Sequence, residues 1–294
     1  MSVSGVLLMA HGTPDSLDDL PEYLRLVRGG REPSADLVAE MRGNYEAIGG
    51  RSPLTDLTLA QAQALGSRLG SSVRIQVGMR NWRPFIRDAV AMLAAQGVRR
   101  VVGIPLAPQF STLSVAKYFD AATAALPPGL TLEPVFSFHD HPLLVEAFAQ
   151  RVREARPRAD EDVIFTAHSL PARAARSGDR YAREVAATAR AVAARAGLPR
   201  YRRAFQSAGR TSEPWMGLDL SDLIRHRVAR GVRRFLVAPI GFVCDHTEIL
   251  FDIDVQARRT AESLGAVLRR TESLNTSPTF IAALEALVRE RLWS

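Results

Sequence analysis

The chain has 294 residues, of which 47% are hydrophobic and 23% are charged, as is usual for globular proteins and unusual for disordered ones. Its single cysteine, Cys244, excludes an intrachain disulfide, a two-cysteine zinc motif and a four-cysteine iron–sulfur cluster. The net charge of +7 is carried by arginines, because Lys117 is the only lysine, and no basic run contains the aromatic residues that stack on nucleic-acid bases. We therefore expect no nucleic-acid partner.

Membrane and secretion signals are absent from the sequence pattern. No apolar run approaches the roughly 18 residues that cross a bilayer, and the first residues lack the charged and apolar pattern of a secretory signal. We therefore predict a cytoplasmic protein without stable membrane insertion.

Short β-branched apolar runs alternate with segments of helical periodicity along the chain, which predicts βαβ units and a parallel sheet. The predicted strands are 5–10, 73–78, 100–105, 131–136, 162–167, 201–206, 234–240 and 265–269. The predicted helices are 17–27, 34–47, 55–70, 83–96, 114–125, 142–154, 181–196, 219–230 and 277–293.

An internal repeat organises the chain. GVRRVVGIPLAP at 97–108 and GVRRFLVAPIGF at 231–242 share a glycine, an arginine pair and an apolar strand that runs into proline. Each follows a helix that is predicted to begin after a proline-containing turn, RNWRPF at 80–85 or RTSEPW at 210–215. Because repeated sequence indicates repeated structure, we predict two similar α/β domains.

The predicted N-terminal domain spans 1–145 and the predicted C-terminal domain spans 146–272. One strand in each ends in a histidine, since VLLMAH leads to His11 and VIFTAH leads to His168. Ligands of open parallel sheets bind outside the carboxyl ends of the strands, so we expect both histidines to face a cleft between the domains. The final amphipathic helix, 277–293, is expected to pack back on the N-terminal domain.

The residues alone leave two interpretations of His11 and His168 open. Either histidine caps the turn that follows its strand, or it serves as a general base or metal ligand. The second interpretation rests on the chemistry of imidazole, which titrates near neutral pH and binds transition metals through a neutral nitrogen.

The segment PIGFVCDHTEILFDID at 239–254 concentrates acidic residues in an apolar background. If residues 246–256 form an α-helix, Glu248, Asp252 and Gln256 lie at i, i+4 and i+8 on one face. Two carboxylates and an amide in such a row indicate either a path for cations or a solvated acidic face.

Six segments in a fixed order carry a resemblance to a known family. They are MAHGTP (9–14), YEAIGGRSPL (45–54), LAPQFSTLSV (106–115), TAHSLPARAARSGDRY (166–181), QSAGRTSEPWMG (206–217) and PIGFVCDHTEILFDID (239–254). Over almost the whole chain this set resembles the ferrochelatase family, most closely the short bacterial form that inserts iron into coproporphyrin III. The resemblance implies the chelatase fold, with two similar Rossmann-like domains, each a four-stranded parallel sheet flanked by helices.

The implied activity is that of a lyase of haem and porphyrin biosynthesis, which inserts Fe²⁺ into coproporphyrin III to give Fe-coproporphyrin. Ferrous iron and the porphyrin are then substrates, and we expect no prosthetic group and no iron–sulfur cluster. The short relatives imply a monomer that passes its product to a downstream haem-synthesis enzyme in a transient contact.

The resemblance also implies roles for the matching residues. His168 matches the family's catalytic histidine and Glu248 its partner carboxylate, and both are implied metal ligands. His11 is implied on the opposite side of the macrocycle as a ligand of the product iron, and Asp252 with Gln256 as a relay for protons or metal. The implied substrate-binding residues are His11, Arg28, Asn44, Tyr45, Ser52 and Tyr118.

Three of these positions depart from the pattern of the subgroup. His11 stands in place of a tyrosine, so the axial ligand of the product iron would be an imidazole. Asn44 stands in place of an arginine, which removes one contact to a propionate, and Gln256 stands in place of a glutamate, which weakens the case for an outer metal site.

Three other functions are compatible with the same residues. The first is a ferrochelatase that acts on protoporphyrin IX, because the core motifs do not read the ring substituents that distinguish the two porphyrins. The second is a related cobalt or nickel chelatase that acts on sirohydrochlorin. The third is a non-catalytic haem-binding protein in which His11 is a permanent axial ligand.

Overall fold

The computed structural model describes residues 3–209 and 213–293. Residues 210–212, which belong to the predicted turn RTSEPW, lie outside the described part of the chain. The described chain forms two compact units. The first consists of the chain up to Ala107, Ser114–Ser137 and the chain from Asn275 onward, and the second consists of Pro108–Leu113 and Phe138–Leu274.

The first unit is built on a parallel sheet of four strands in the order β2-β1-β3-β4. The strands are β1 (Val3–Ala10), β2 (Val73–Met79), β3 (Val98–Pro105) and β4 (Thr131–Pro134). Its helices are α1 (Leu20–Val27), preceded by a 3₁₀ turn (Leu17–Asp19), α2 (Ala35–Ala47), α3 (Leu54–Leu69), α4 (Ile86–Ala95), α5 (Val115–Ala124) and the last helix of the chain, α12 (Pro278–Leu292). In β1 the side chains from Val6 to Met9 are all fully buried, as expected when helices cover both faces of a parallel sheet.

The second unit repeats this plan with a parallel sheet in the order β6-β5-β7-β8. The strands are β5 (Asp162–His168), β6 (Arg202–Gln206), β7 (Arg234–Ala238) and β8 (Val267–Arg270). The helices are α6 (Pro142–Glu154), α7 (Ala172–Arg176), α8 (Tyr181–Ala196), α9 (Leu220–Val228), α10 (Thr247–Leu250) and α11 (Arg258–Ser263), with a π-helix (Asp252–Ala257) between the last two. In both sheets the second strand along the chain lies outside the first, which confirms the predicted fold of two similar four-stranded α/β units.

The structure divides the chain elsewhere than between 145 and 146. That position lies inside α6, which packs against α8, whereas the second unit begins at Phe138 and also takes up Pro108–Leu113. This short segment is held by side-chain hydrogen bonds, since Gln109 donates from Nε2 to Thr188 Oγ1 and to the carbonyl oxygen of Ile240, both at 3.1 Å.

The last helix, α12, belongs to the first unit, together with α3 against which it packs. Arg68 on α3 forms an ion pair with Glu285 on α12, with 2.6 Å between Nε and Oε2.

An N-cap in the second unit gives a test of local stability. Asp219 precedes α9 and its carboxylate accepts from the backbone N–H of Ser221 at 2.8 Å and of Asp222 at 3.3 Å. Because loss of such a cap typically costs about 1 kcal/mol, we expect Asp219→Ala to lower the free energy of unfolding by that amount in urea titrations. Asp120→Ala, which removes only an exposed i, i+3 partner of Lys117, is the control and is expected to cost less than about 0.5 kcal/mol. Equal costs would contradict the cap.

Candidate active site

His168 stands at the carboxyl end of β5, and neighbouring segments hold this strand end on both sides. The backbone N–H of Ser169 donates to the carbonyl oxygen of Gln206 at 2.7 Å, and that of Gly241 donates to the carbonyl oxygen of Thr166 at 3.1 Å. Nδ1 of His168 contacts the carbonyl oxygen of Ser169. A carbonyl oxygen only accepts hydrogen bonds, so Nδ1 carries its hydrogen and Nε2 is the nitrogen left for chemistry.

Glu248 lies directly opposite this nitrogen. Its Oε1 is 3.4 Å from His168 Nε2, and about a third of each side chain is exposed, 32% for the histidine and 36% for the glutamate. The backbone of Glu248 is fixed to the sheet, because Gln206 donates from Nε2 to its carbonyl oxygen at 2.8 Å. The structure therefore brings together His168 and Glu248, the two residues assigned to catalysis, at a strand end that a ligand can reach.

Two further residues complete this cluster and were given no role by the sequence. His246 Nε2 lies 3.7 Å from Glu248 Oε2, and its Nδ1 lies 3.0 Å from the carbonyl oxygen of Cys244. Ser207 donates from Oγ to Oδ2 of Asp252. The motif PIGFVCDHTEILFDID already contained His246 as a second histidine beside Glu248, but only the fold places its ring against the same carboxylate.

The helix expected over 246–256 is not a continuous α-helix. A π-helix occupies Asp252–Ala257, marked by the bond from Gln256 N–H to the carbonyl oxygen of Phe251 at 2.8 Å. Gln256 is exposed, and its side chain forms no hydrogen bond among residues 3–209 and 213–293. Of the expected row of three, Glu248 and Asp252 face the histidine cluster, and a link to Gln256 remains a prediction.

The pattern of core residues explains the π-helix. Four side chains at intervals of four residues are fully buried in one core cluster, namely Ile249, Ile253, Ala257 and Ala261. In an α-helix of 3.6 residues per turn, each such step would rotate the side chain by about 40° away from the core. One wider turn cancels this drift, and such π-bulges are frequent at functional sites.

Two other acidic residues of the same segment serve the structure rather than the site. Arg270 pairs with Asp254 at 2.8 Å and with Asp245 at 3.1 Å, and only 12% of its side chain is exposed. Ser273 adds a hydrogen bond from Oγ to Asp245 at 2.7 Å. The acidic segment is thereby divided into a neutralised structural part and a part that faces His168.

Burial and neighbouring charges shift the pKa values of the titrating groups in this cluster in different directions. Burial opposes a charge on His168, but the carboxylate of Glu248 outweighs it and raises the pKa of His168 to about 9. Burial likewise opposes the charge of Glu248, yet the two histidines hold the pKa of its carboxyl well below the usual range. Burial and the charge of Glu248 together raise the pKa of Asp252 to about 7. Carboxyl groups with pKa values pushed apart in this way suit different roles in one proton-transfer site.

His11 lies in the first unit, one residue beyond β1. The amide nitrogen of Asn81 is 3.2 Å from its Nε2 and 3.3 Å from its Nδ1, and the ring of Tyr23 packs against it edge-on at 6.3 Å between centroids. Two residues further on, Thr13 Oγ1 is 2.8 Å from the hydroxyl of Tyr45. The structure thus connects His11 and Tyr45 through one short loop, and Asn81 is a neighbour that sequence reasoning missed.

The other residues assigned to substrate binding also lie in the first unit. Arg28 is exposed at the end of α1, and Asn44 is half-buried on α2 with its Nδ2 3.9 Å from Met41 Sδ. Ser52 is buried before α3 and accepts from the N–H of Leu54 at 3.4 Å, and Tyr118 is buried on α5.

The described residues offer a metal ion only a few donor side chains, which do not enclose it. Within the described ranges, no three side chains of His, Cys, Asp or Glu converge to form a metal site. His168 and Glu248 supply one nitrogen and one carboxylate, whereas a closed structural site takes four ligands. Two protein donors with other positions free suit a metal that is handed on.

Gly241 sets how closely the loop after β7 approaches the end of β5. A Cβ at this position would lie 2.6 Å from Cβ and 2.7 Å from Cα of Ala167, next to His168. We expect Gly241→Ala to lower the free energy of unfolding by about 1–3 kcal/mol, because backbone would have to shift. Gly43→Ala on α2 is the matched control, since its Cβ would meet nothing within 4 Å, and thermal unfolding of both variants gives the comparison. A Gly241→Ala variant as stable as the control would refute the close packing.

Comparisons with known proteins agree with this architecture. The sequence model of the ferrochelatase family matches residues 3–292. The chain is 41% identical to the ferrochelatase of Deinococcus radiodurans, over 98% of this chain and 95% of the relative. It is 37% identical to the coproporphyrin III ferrochelatase of Geobacillus sp. strain WCH70, over 98% of this chain and 97% of the relative. It is 39% identical to the ferrochelatase of Thermus thermophilus, over 98% and 99%.

Solved structures share the fold at low identity. SirB from Bacillus subtilis with Fe³⁺ matches with a TM-score of 0.61 at 13% identity, over 98% of this chain and 94% of that one. CbiX, described as the terminal enzyme for biosynthesis of sirohaem in denitrifying bacteria, matches with a TM-score of 0.55 at 14% identity, over 98% and 99%. Among the described residues no helix is both long and apolar enough to span a membrane.

Proposed function

The chain belongs to the ferrochelatase family, and on that premise we propose that it inserts Fe²⁺ into coproporphyrin III to give Fe-coproporphyrin. The observation that carries the proposal is the His168–Glu248 pair, 3.4 Å apart at the end of β5 and partly open to ligand. The choice of coproporphyrin III is supported by the name of the Geobacillus relative, whereas the Deinococcus and Thermus relatives carry the general name.

The reaction exchanges two inner N–H protons of the porphyrin for one ferrous ion, so two protons leave as iron enters. His168 is the acceptor that the geometry favours, because Nδ1 is held by the Ser169 carbonyl oxygen and Nε2 is the nitrogen that can take a proton. The carboxylate of Glu248 stabilises the imidazolium that forms.

The resting state of the pair adds a step before this transfer. With a pKa of about 9, His168 already holds a proton at neutral pH and must give it up before it can accept one from the porphyrin. A ferrous ion that approaches Glu248 competes with the imidazolium for the same carboxylate, so arrival of the metal favours release of that proton. Asp252, with a pKa of about 7, is a group that can receive and pass on a proton at neutral pH.

The residues of the first unit are assigned to the organic substrate. Arg28 supplies a positive charge for a propionate, and the hydroxyls of Tyr45, Ser52 and Tyr118 supply hydrogen bonds. His11 is the candidate ligand for the product iron. Coproporphyrin III has four propionates, so this assignment predicts that its binding depends on the charge of Arg28.

The proposal is tested with purified protein and Fe²⁺ under anaerobic conditions, with coproporphyrin III and protoporphyrin IX followed by absorbance in parallel reactions. We expect faster metallation of coproporphyrin III. Faster metallation of protoporphyrin IX would overturn the choice of substrate but would leave the proposed iron insertion standing. Metallation of neither porphyrin, with haem still bound, would favour a haem-binding protein.

Glu248→Gln tests the coupling within the pair. Because the carboxylate stabilises the protonated imidazole, we expect the pKa of His168 to fall from about 9 in this variant, measured by NMR titration of the histidine rings. A raised folded-state pKa contributes stability that is fully present below the ordinary pKa of 6.5 and is lost as pH rises through 9. The free energy of unfolding of the variant should therefore depend less on pH across that window. An unchanged His168 titration would contradict the coupling.

A further inference from the structure

The connections that lead into the second sheet carry a surface rich in arginine. Three of them, 155–161, 197–201 and 229–233, each join the end of a helix to the start of a parallel strand, so they lie together at the amino edge of the sheet. Their five exposed arginines, here called the amino-edge arginines, are Arg156, Arg158, Arg200, Arg230 and Arg233.

Contacts between these loops make the surface continuous. Arg200 donates from Nη2 to the carbonyl oxygen of Ala159 at 2.8 Å, which joins the loop before β6 to the loop before β5. Arg234, at the start of β7, pairs with Asp160 at 3.1 Å. The three loops therefore present their side chains side by side.

The acidic residues at this edge are already neutralised by other arginines. Glu161 pairs with Arg269 at 2.6 Å, and Asp162 pairs with Arg202 at 2.8 Å and with Arg227 at 2.6 Å. Asp160 is engaged by Arg234, as described above. Among the residues that the structure describes, none of the amino-edge arginines pairs with a carboxylate, so their charge is uncompensated.

The first unit provides an internal control for this charge. Its connections 70–72 and 96–97, which correspond to 197–201 and 229–233, contain no arginine, although they also join the ends of helices to the starts of parallel strands. The repeated GVRR motif supplies one equivalent, since Arg99 corresponds to Arg233. Arginine-rich composition and the negative ends of helix dipoles act on both units alike, so they do not explain Arg200 and Arg230.

Apolar side chains are exposed at the same edge. Leu264 and Val267, in the connection from α11 to the start of β8, are 39% and 57% exposed. Guanidinium groups bind phosphate oxygens in a bidentate manner, and exposed aliphatic side chains beside them enter the boundary between headgroups and acyl chains. Tyr201, the aromatic residue of these loops, packs against the Phe165 ring at 5.3 Å and is not presented for stacking on a nucleic-acid base.

We propose that the amino edge of the second sheet is a docking surface for bilayers rich in anionic phospholipid. The surface lies at the opposite end of β5 from His168, roughly 20 Å away along seven strand residues. A bilayer bound at the amino edge therefore leaves the strand end that carries His168 and Glu248 uncovered. The docking surface does not depend on the proposed reaction.

The test is co-sedimentation of the full chain with vesicles at low and at physiological salt. Vesicles contain either phosphatidylglycerol with phosphatidylcholine or phosphatidylcholine alone. We expect binding to the anionic vesicles only, weaker at higher salt. Absence of binding to anionic vesicles at low salt, or equal binding to both compositions, would overturn the proposal.

The variant Arg156→Gln, Arg158→Gln, Arg230→Gln removes three side chains that make no hydrogen bond within the described structure. Each basic residue near an anionic bilayer contributes about fivefold to binding, so we expect a loss on the order of 100-fold. Iron insertion in solution should stay at the wild-type rate, and circular dichroism checks the fold. The double variant Leu264→Ser with Val267→Ser should also weaken binding to the anionic vesicles. Unchanged binding would contradict a contribution of these two apolar side chains to docking.

The matched control removes the same charge elsewhere, with Arg183→Gln, Arg190→Gln and Arg259→Gln on exposed helical positions. We expect it to lose only a few-fold in binding, as a change in net charge alone predicts. A loss as large as that of the amino-edge variant would overturn the assignment of the docking surface to the amino edge of the second sheet. The chain could instead bind a double-stranded DNA oligonucleotide more tightly than it binds vesicles, and lose that binding in the amino-edge variant. This result would overturn phospholipid as the partner in favour of nucleic acid.

Discussion

His168→Ala is expected to slow iron insertion by about 10²–10⁴-fold, the usual contribution of a positioned acid–base group, while the chain stays folded. The variant removes Nε2, the proton acceptor at the end of β5, and leaves Glu248 on α10 without the imidazole that lies 3.4 Å away. About a third of the Glu248 side chain is exposed, so water can solvate the carboxylate that loses its partner. The expected effect is therefore on rate far more than on folding.

The control for this prediction is His226→Ala, because His226 is exposed on α9 and belongs to no cluster assigned to the reaction. It should metallate the porphyrin at the wild-type rate. If His168→Ala and His226→Ala have the same rate, His168 is not the base, and the proton must leave the porphyrin by another group.

Arg270→Met is expected to give the largest loss of stability, about 3–5 kcal/mol, because it removes one partner of a buried ion cluster. Arg270 holds Asp254 and Asp245 together with only 12% of its side chain exposed. Without the guanidinium, two largely buried carboxylates lose their main partner, since Asp254 keeps only Arg258 at 3.5 Å and Asp245 keeps the hydroxyl of Ser273. Since these aspartates flank Glu248 in the chain, the variant is also expected to lose activity as its structure loosens.

Chemical denaturation of Arg270→Met gives the measurement, and Arg225→Met is the matched control. Arg225 pairs with Asp222, but both side chains are more than half exposed, at 57% and 61%, so the control should cost less than about 1 kcal/mol. The double variant Arg270→Met with Asp254→Asn should recover part of the stability, because one of the two buried carboxylate charges is gone. Similar costs for the two single arginine variants would contradict the structural role of Arg270.

The architecture is predictable from sequence because the strands of both sheets are covered by helices. All eight predicted strands are present, with ends within two residues of those expected, since buried parallel strands appear as compact apolar runs. The rule that ligands bind at the carboxyl ends of such strands identifies His11 and His168 as candidates from their places in the sequence, and only the family resemblance gives them different roles. The repeat GVRR then predicts the second unit from the first.

Long-range side-chain contacts could not be predicted from the sequence. Asp245 and Asp254 look like members of the acidic site until Arg270, in a later strand, is placed against them. The assignment of 108–113 to the second unit depends on hydrogen bonds such as that from Gln109 to Thr188. Neither kind of contact has a periodic signal, because the partners are far apart in the chain and meet only when the sheets have formed.

The π-helix was concealed for a different reason. Glu248, Asp252 and Gln256 satisfy the spacing of one α-helical face, so the pattern predicted a regular row. The buried side chains Ile249, Ile253, Ala257 and Ala261 keep the four-residue interval over a longer run, in which the drift of about 40° per step would add up to about 120° in a regular α-helix. The buried positions were therefore the signal that would have revealed the wider turn.

The most direct test of the central claim is the anaerobic rate of Fe²⁺ insertion into coproporphyrin III by Glu248→Gln beside Glu262→Gln. Glu262 is an exposed glutamate of α11, so its variant carries the same change of charge away from His168. If the His168–Glu248 pair inserts the metal, Glu262→Gln should match the wild type and Glu248→Gln should be slower by about 10²-fold or more. Equal rates for the two variants would contradict the assignment of the active site.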